Sequence, residues 1–117
     1  MLIVDDQDLF RAVMRDVVLV TPGMALAGEA TSGEAAIDAV DELSPRLVVM
    51  DKRMPGIGGI EAARRIRERR PDVVVVLVSV EEPSPEALEE SGGAAFLNKR
   101  ELSPRALTAL WDVHGSG

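Results

Sequence analysis

Five polar residues stand where short apolar runs of this sequence give out: the pair Asp5-Asp6 after "LIV", Asp51 after "RLVVM", Ser79 after "VVVVLV" and Lys99 just past "AAFL". Taken singly, each has an ordinary explanation, because strand-to-helix loops favour such residues. Taken together, they suggest one site. Three carboxylates drawn to a point repel one another and stay ionised only when a cation joins them. Lys99 supplies one positive charge, leaving a balance of minus two that one divalent cation would cancel. Carboxylate oxygens suit a hard octahedral ion, so Mg2+ is the expected cofactor. With no Cys and a single His, zinc is not expected. A carboxylate beside a metal and an ammonium is the equipment of phosphoryl transfer, with the carboxylate as nucleophile and the cations neutralising charge on the transferred group. Asp51, alone at the end of a central run, is the expected nucleophile. Ser79 would donate a hydrogen bond to the phosphoryl group.

For these residues to meet, the apolar runs must be parallel strands whose carboxyl ends share one edge, the edge at which open α/β sheets bind ligands. The strands are expected at residues 2–4, 24–30, 46–50, 73–78 and 94–97, each followed by an amphipathic stretch, the pattern of βα units. In the first helix Leu9, Phe10, Val13, Met14, Val17 and Val18 recur at helical spacing, with Arg11 and Arg15 facing out. Asp5 or Asp6 would be the N-cap if it had only a structural role. The second helix opens with Thr31 three residues before Glu34, a capping-box pattern, and carries Ala36, Val40 and Leu43 on one face. The third follows Gly58-Gly59 with Ile60, Ala63 and Ile66 inward. Ser84-Pro85 and Ser103-Pro104 each pair a capping hydroxyl with a proline suited to a first helical turn. The fourth helix, "PEALEES", ends before Gly92-Gly93 and is expected to be two turns at most.

The totals narrow the function classes. A chain of 117 residues has the length of one domain, and residues 1–117 are read as one. With 46% hydrophobic but only 3% aromatic residues, the core must be aliphatic. A net charge of −7 argues against direct nucleic-acid binding. No apolar run approaches the roughly 20 residues of a membrane span, and no basic leader precedes "LIV". A cytoplasmic protein is expected.

The acidic pair in "LIVDDQDLFR", the block "VVMDKRMPGIGGIEAARRI" around Asp51, Ser79 at the end of the fourth strand and "FLNK" leading to Lys99 together resemble the receiver domain of two-component response regulators. The likeness covers essentially the whole chain. It is greatest to receivers that precede a helix-turn-helix output domain, and none follows within these residues. The resemblance implies a flavodoxin-like (βα)5 fold, a doubly wound parallel sheet of order 2-1-3-4-5 in three α/β/α layers. It implies a phosphoprotein of a phosphorelay: Asp51 accepts a phosphoryl group from a sensor histidine kinase, and Asp5, Asp6, Asp51 and the backbone carbonyl of Arg53 hold Mg2+. Ser79 and Lys99 would bind the phosphoryl oxygens, and Phe96 would reorient when the Ser79 loop closes. The output would be an altered contact with a downstream protein, with homodimerisation through the face around the fourth and fifth helices. Such a chain transfers phosphate to itself and loses it again without being a turnover enzyme.

Two departures from the family bear on the site. Arg100 stands where proline usually follows the lysine, so a trans bond and a looser Lys99 are expected. Val80 stands where a small residue usually follows the switch hydroxyl, which points to slow dephosphorylation. Two other readings compete. One is a binding module that keeps the fold but does not use phosphorylation; the other is a magnesium-dependent phosphatase working through an aspartyl intermediate, which would want an acid where Arg53 stands. Arg53 and Glu81 are read as solvated rather than paired, and "RRIRERR" (64–70) as the solvated face of the third helix. Trp111 is read as a core anchor and His114 as a helix C-terminal charge.

Overall fold

Unbroken runs of Val, Ile and Leu bury both faces of a strand, as the inner strands of a parallel sheet require. In the computed structural model, which describes residues 1–81, 84–92 and 95–114, β1 (Leu2–Val4), β3 (Leu47–Asp51) and β4 (Val74–Ser79) are buried at every position. β2 (Gly28–Ala30) and β5 (Ala95–Asn98) form the edges. All pairings are parallel, in the order β2-β1-β3-β4-β5. This is the flavodoxin-like architecture expected from the sequence.

Among the described residues five α-helices cover the sheet: α1 (Asp8–Leu19), α2 (Gly33–Leu43), α3 (Gly58–Arg69), α4 (Pro85–Glu90) and α5 (Pro104–His114). Ala36 and Val40 of α2 and Ala62, Ala63 and Ile66 of α3 pack with Leu2, Met50 and Leu77 on one face. Met14 and Val18 of α1 and Leu107 of α5 pack with Ile3, Val49 and Val76 on the other, where Trp111 also anchors. Full burial of such a side chain contributes about 1.5–3 kcal/mol, so these two aliphatic layers hold the sheet in place between the helices.

Several expectations need correction. Residues 24–27 are not strand, because β2 pairs only with the three-residue β1. Ahead of that ladder, Met1 exchanges isolated bonds with Ala25 and Ala27 instead. β3 and β4 each run one residue further than expected, which takes Asp51 and Ser79 into the ladder. Ser32, not Thr31, caps α2, accepting the Ala35 N–H at 3.1 Å. Glu34 therefore reaches not back to its own helix but across to Ile57. Leu9 and Val13 lie outside the buried stripe of α1, whereas Arg11, expected to face out, has a side chain only 14% exposed. The short α4 is capped by Ser84, as expected. The arginines of "RRIRERR" are engaged rather than free: Arg64 and Arg65 hold Glu61, pulling its carboxyl down to about 2, and Arg69 pairs with Asp41. Pro83, Gly93 and Ala94, on which part of the sequence reading rests, lie outside the described residues.

Candidate functional site

The carboxyl edge of the sheet gathers the polar residues that end its strands. The Asp5 N–H extends the ladder of β1 by one bond, to the Ala30 carbonyl at 3.1 Å. Its Oδ1 then accepts the Gln7 N–H at 2.8 Å, a tight turn that leads into α1. Neither Asp5 nor Asp6 is the helix N-cap; Gln7 occupies that position without a side-chain cap. Asp5 is fully buried and Asp6 is exposed.

Asp51 ends β3 and is 7% exposed. One oxygen from each of Asp5, Asp6 and Asp51 lies within 4.8 Å of the others, the one such acidic group among the described residues. Lys99 faces the same point from the far side of the sheet. Its ammonium donates to Asp5 Oδ2 at 3.1 Å, lies 3.4 Å from Asp51 Oδ2, and sits 4.2 Å above the centre of the Phe10 ring. The expected looseness of Lys99 is thus corrected: two carboxylates and an aromatic face hold it. The bond to Arg100 is trans, as expected. Directly after β5 the chain makes a short 3-10 turn, Lys99–Glu101, capped by Asn98.

One ammonium does not balance the cluster. Burial, then the charge of Asp5, push the Asp51 carboxyl above its ordinary 3.8, and Lys99 with the Arg53 N–H at 3.3 Å pull it back only in part. A carboxylate that burial and a like charge disfavour is one that a cation would restore. The donors offered are all hard oxygens, so the residues fit a divalent ion of the magnesium class.

Ser79, 5% exposed, accepts the Glu81 N–H at 3.1 Å. Arg53 and Glu81 are not separately solvated as expected. Their side chains meet at 2.5 Å and link the loop after Asp51 to the loop after Ser79. Val80 is 69% exposed in the latter loop. Phe96 is half-buried against the α2 and α3 layer, level with Leu77. The loop after Asp51 must double back closely: a Cβ on Gly59 would collide with the Asp51 carbonyl oxygen.

Three supporting residues escape a reading of the sequence. Phe10 lies under Lys99, the Arg11 guanidinium donates to the Asp5 carbonyl at 2.8 Å, and Asn98 caps the turn that carries Lys99. Only Asn98, a polar residue beside the lysine, leaves any mark in the sequence.

A family model described as response regulator receiver domain matches residues 1–111. The response regulator GacA of Pseudomonas viridiflava is 41% identical over 100 residues, 84% of this chain and 47% of that protein. Among solved structures, the receiver domain of NarL from Mycobacterium tuberculosis superposes with a TM-score of 0.85 at 25% identity, covering 99% of this chain and 95% of that one. The receiver domain of the Arabidopsis thaliana histidine kinase CKI1, solved with Mg2+, gives a TM-score of 0.79 at 25% identity over 96% and 89%. The chain spans about half the length of the curated relatives it matches. Among the described residues no helix is long and apolar enough to cross a membrane.

Proposed function

The chain belongs to the response regulator receiver domain family, and from that premise we propose that it accepts a phosphoryl group on Asp51 from a sensor histidine kinase. The observation that carries this reading is Lys99, held between Asp5 and Asp51 at the carboxyl edge of the sheet with Asp6 alongside. In the step proposed, an Asp51 carboxylate oxygen attacks phosphorus, the new O–P bond forms, and the P–N bond to the kinase imidazole breaks. The imidazole keeps the bonding pair and takes up a proton. Lys99, already within reach of Asp51, would turn its ammonium to a phosphoryl oxygen, and the Ser79 hydroxyl would donate to another.

Asp5, Asp6, Asp51 and the Arg53 carbonyl would hold Mg2+, as the CKI1 receiver was solved with this ion. When bound, that ion supplies the positive charge the cluster lacks and offsets charge on the transferred group. Phosphorylation replaces one negative charge on Asp51 by about two. That gives the Ser79 loop something new to bind and biases it toward Asp51, with Phe96 following. The consequence proposed is a changed contact with a downstream protein, or with a second copy through the α4 and α5 face, in the cytoplasm. We read the chain as one receiver domain without turnover of external substrates, since Arg53 stands where a phosphatase of this type would want an acid.

Beryllofluoride with Mg2+, which mimics the phosphoryl group, tests the proposal. Wild type should form a stoichiometric adduct and Asp51→Asn none. Equal responses of the two chains would sink it.

A further inference from the structure

Asn98 ends β5 immediately before Lys99 and is 4% exposed. Its side chain is half used. Oδ1 accepts two bonds from Arg100, from the main-chain N–H at 2.9 Å and from Nε–H at 3.3 Å, while Nδ2 has no hydrogen-bond partner among the described residues. Exchanging the two amide atoms does not help. Both groups facing Oδ1 are donors, so the oxygen must face them and the amino group must point the other way. A buried amide donor without an acceptor is uncommon enough in folded proteins to need a reason.

A polar side chain stands opposite it on the neighbouring strand. Asn98 and Ser79 are register partners in the parallel pair β4–β5, so their side chains leave the sheet on the same face. Ser79 is itself committed elsewhere: its oxygen accepts the Glu81 N–H at 3.1 Å. A hydroxyl that turns its proton to Asp51 keeps two acceptor lone pairs, and the Glu81 N–H occupies one of them, so the serine oxygen has room for a second donor. Asn98 carries a buried one that is unemployed.

We propose that Asn98 is a positioning residue of the switch: when Ser79 turns its hydroxyl onto a phosphoryl group at Asp51, the Asn98 amide donates to the serine oxygen and holds that arrangement. The proposal rests on phosphorylation at Asp51. It gives the two ends of one side chain separate tasks. The oxygen caps the 3-10 turn that presents Lys99, a task that needs an N–H at position 100 and so suits Arg100 where proline has none. The amino group waits for the second state of Ser79.

The test is the apparent affinity for beryllofluoride, with saturating Mg2+, of wild type, Asn98→Ala, Asn98→Ser, Ser79→Ala and the double variant Asn98→Ala/Ser79→Ala. Bound fluoride is read by 19F resonance, and a melting curve accompanies each chain. Asn98→Ala should weaken the adduct roughly three- to tenfold, the worth of one hydrogen bond, and this loss should vanish in the Ser79→Ala background. Asn98→Ser, whose hydroxyl still caps the turn, should melt near wild type and yet lose as much affinity as Asn98→Ala. Equal losses with and without Ser79, or wild-type affinity in Asn98→Ala, would overturn the proposal while leaving phosphorylation at Asp51 intact. Failure of wild type to form any adduct would overturn both.

Discussion

Ionised Asp51 is held in the fold against burial and against the charge of Asp5, which together raise its carboxyl above the ordinary 3.8 despite Lys99. The folded chain therefore binds that proton more tightly than the unfolded chain does. The stability this contributes is complete below 3.8 and is lost as pH rises through the raised folded value. At pH 7 with a chelator present, Asp51→Asn should accordingly melt a few degrees above wild type, given roughly 4 °C per kcal/mol at this size. The gap should close on acidification, and a variant that melts lower at every pH would contradict the assignment. Added Mg2+ should reverse the order, because it rewards the charged carboxylate that the variant lacks. Val80 yields a second residue-level prediction. It sits, 69% exposed, directly after Ser79, where a branched side chain would restrict water at the site mouth. Val80→Ala should shorten the phosphoryl lifetime by roughly threefold or more; an unchanged decay rate would refute this.

At the scale of elements, the loops after β1, β3, β4 and β5 matter more than the helices they lead to. The turn after Asp51 closes through the Gly59 N–H to the Lys52 carbonyl at 3.0 Å, with no room for a side chain beside the Asp51 carbonyl. Gly59→Ala must displace that backbone. It should lower stability by about 1–3 kcal/mol and lower adduct formation with it, whereas Ala at the exposed Arg65, six residues further along the same helix, should do neither. The principal site residues are legible because a strand's apolar run has a definite end and a charged group there is conspicuous. Strand limits are less so: "MALA" reads like "VVVV", but only a partner strand decides whether it pairs, and β1 is too short to pair with residues 24–27. Phe10 and Arg11 read as a helix's inner and outer residues. Their roles beneath Lys99 and behind Asp5 depend on how α1 packs across the sheet edge, which periodicity does not encode. The firmness of Lys99 escapes the sequence for a related reason, since the missing proline is visible there while the Asn98 cap that replaces it is a contact.

For the whole molecule, two aliphatic layers fix the sheet while its carboxyl edge carries an unbalanced negative cluster. Leu107, fully buried between α5 and the sheet, should cost about 2–5 kcal/mol on replacement by Ala, measured by urea unfolding, with little effect on adduct affinity in the fraction that remains folded. Stability and the proposed phosphoryl chemistry should in this sense be separable, the first resting on the layers and the second on the five polar residues. The Arg53–Glu81 pair adds an exposed tie across the site mouth, of the kind that contributes about 0–1 kcal/mol, so it steadies the two loops without locking them. The central claim is that Asp51 itself takes the phosphoryl group. Intact and peptide mass spectrometry after incubation with Mg2+ and a small phosphodonor tests this most directly. A gain of one phosphoryl group confined to the peptide holding Asp51, absent in Asp51→Asn and without chelatable metal, is the predicted result. No gain in wild type, or the same gain in Asp51→Asn, would contradict it.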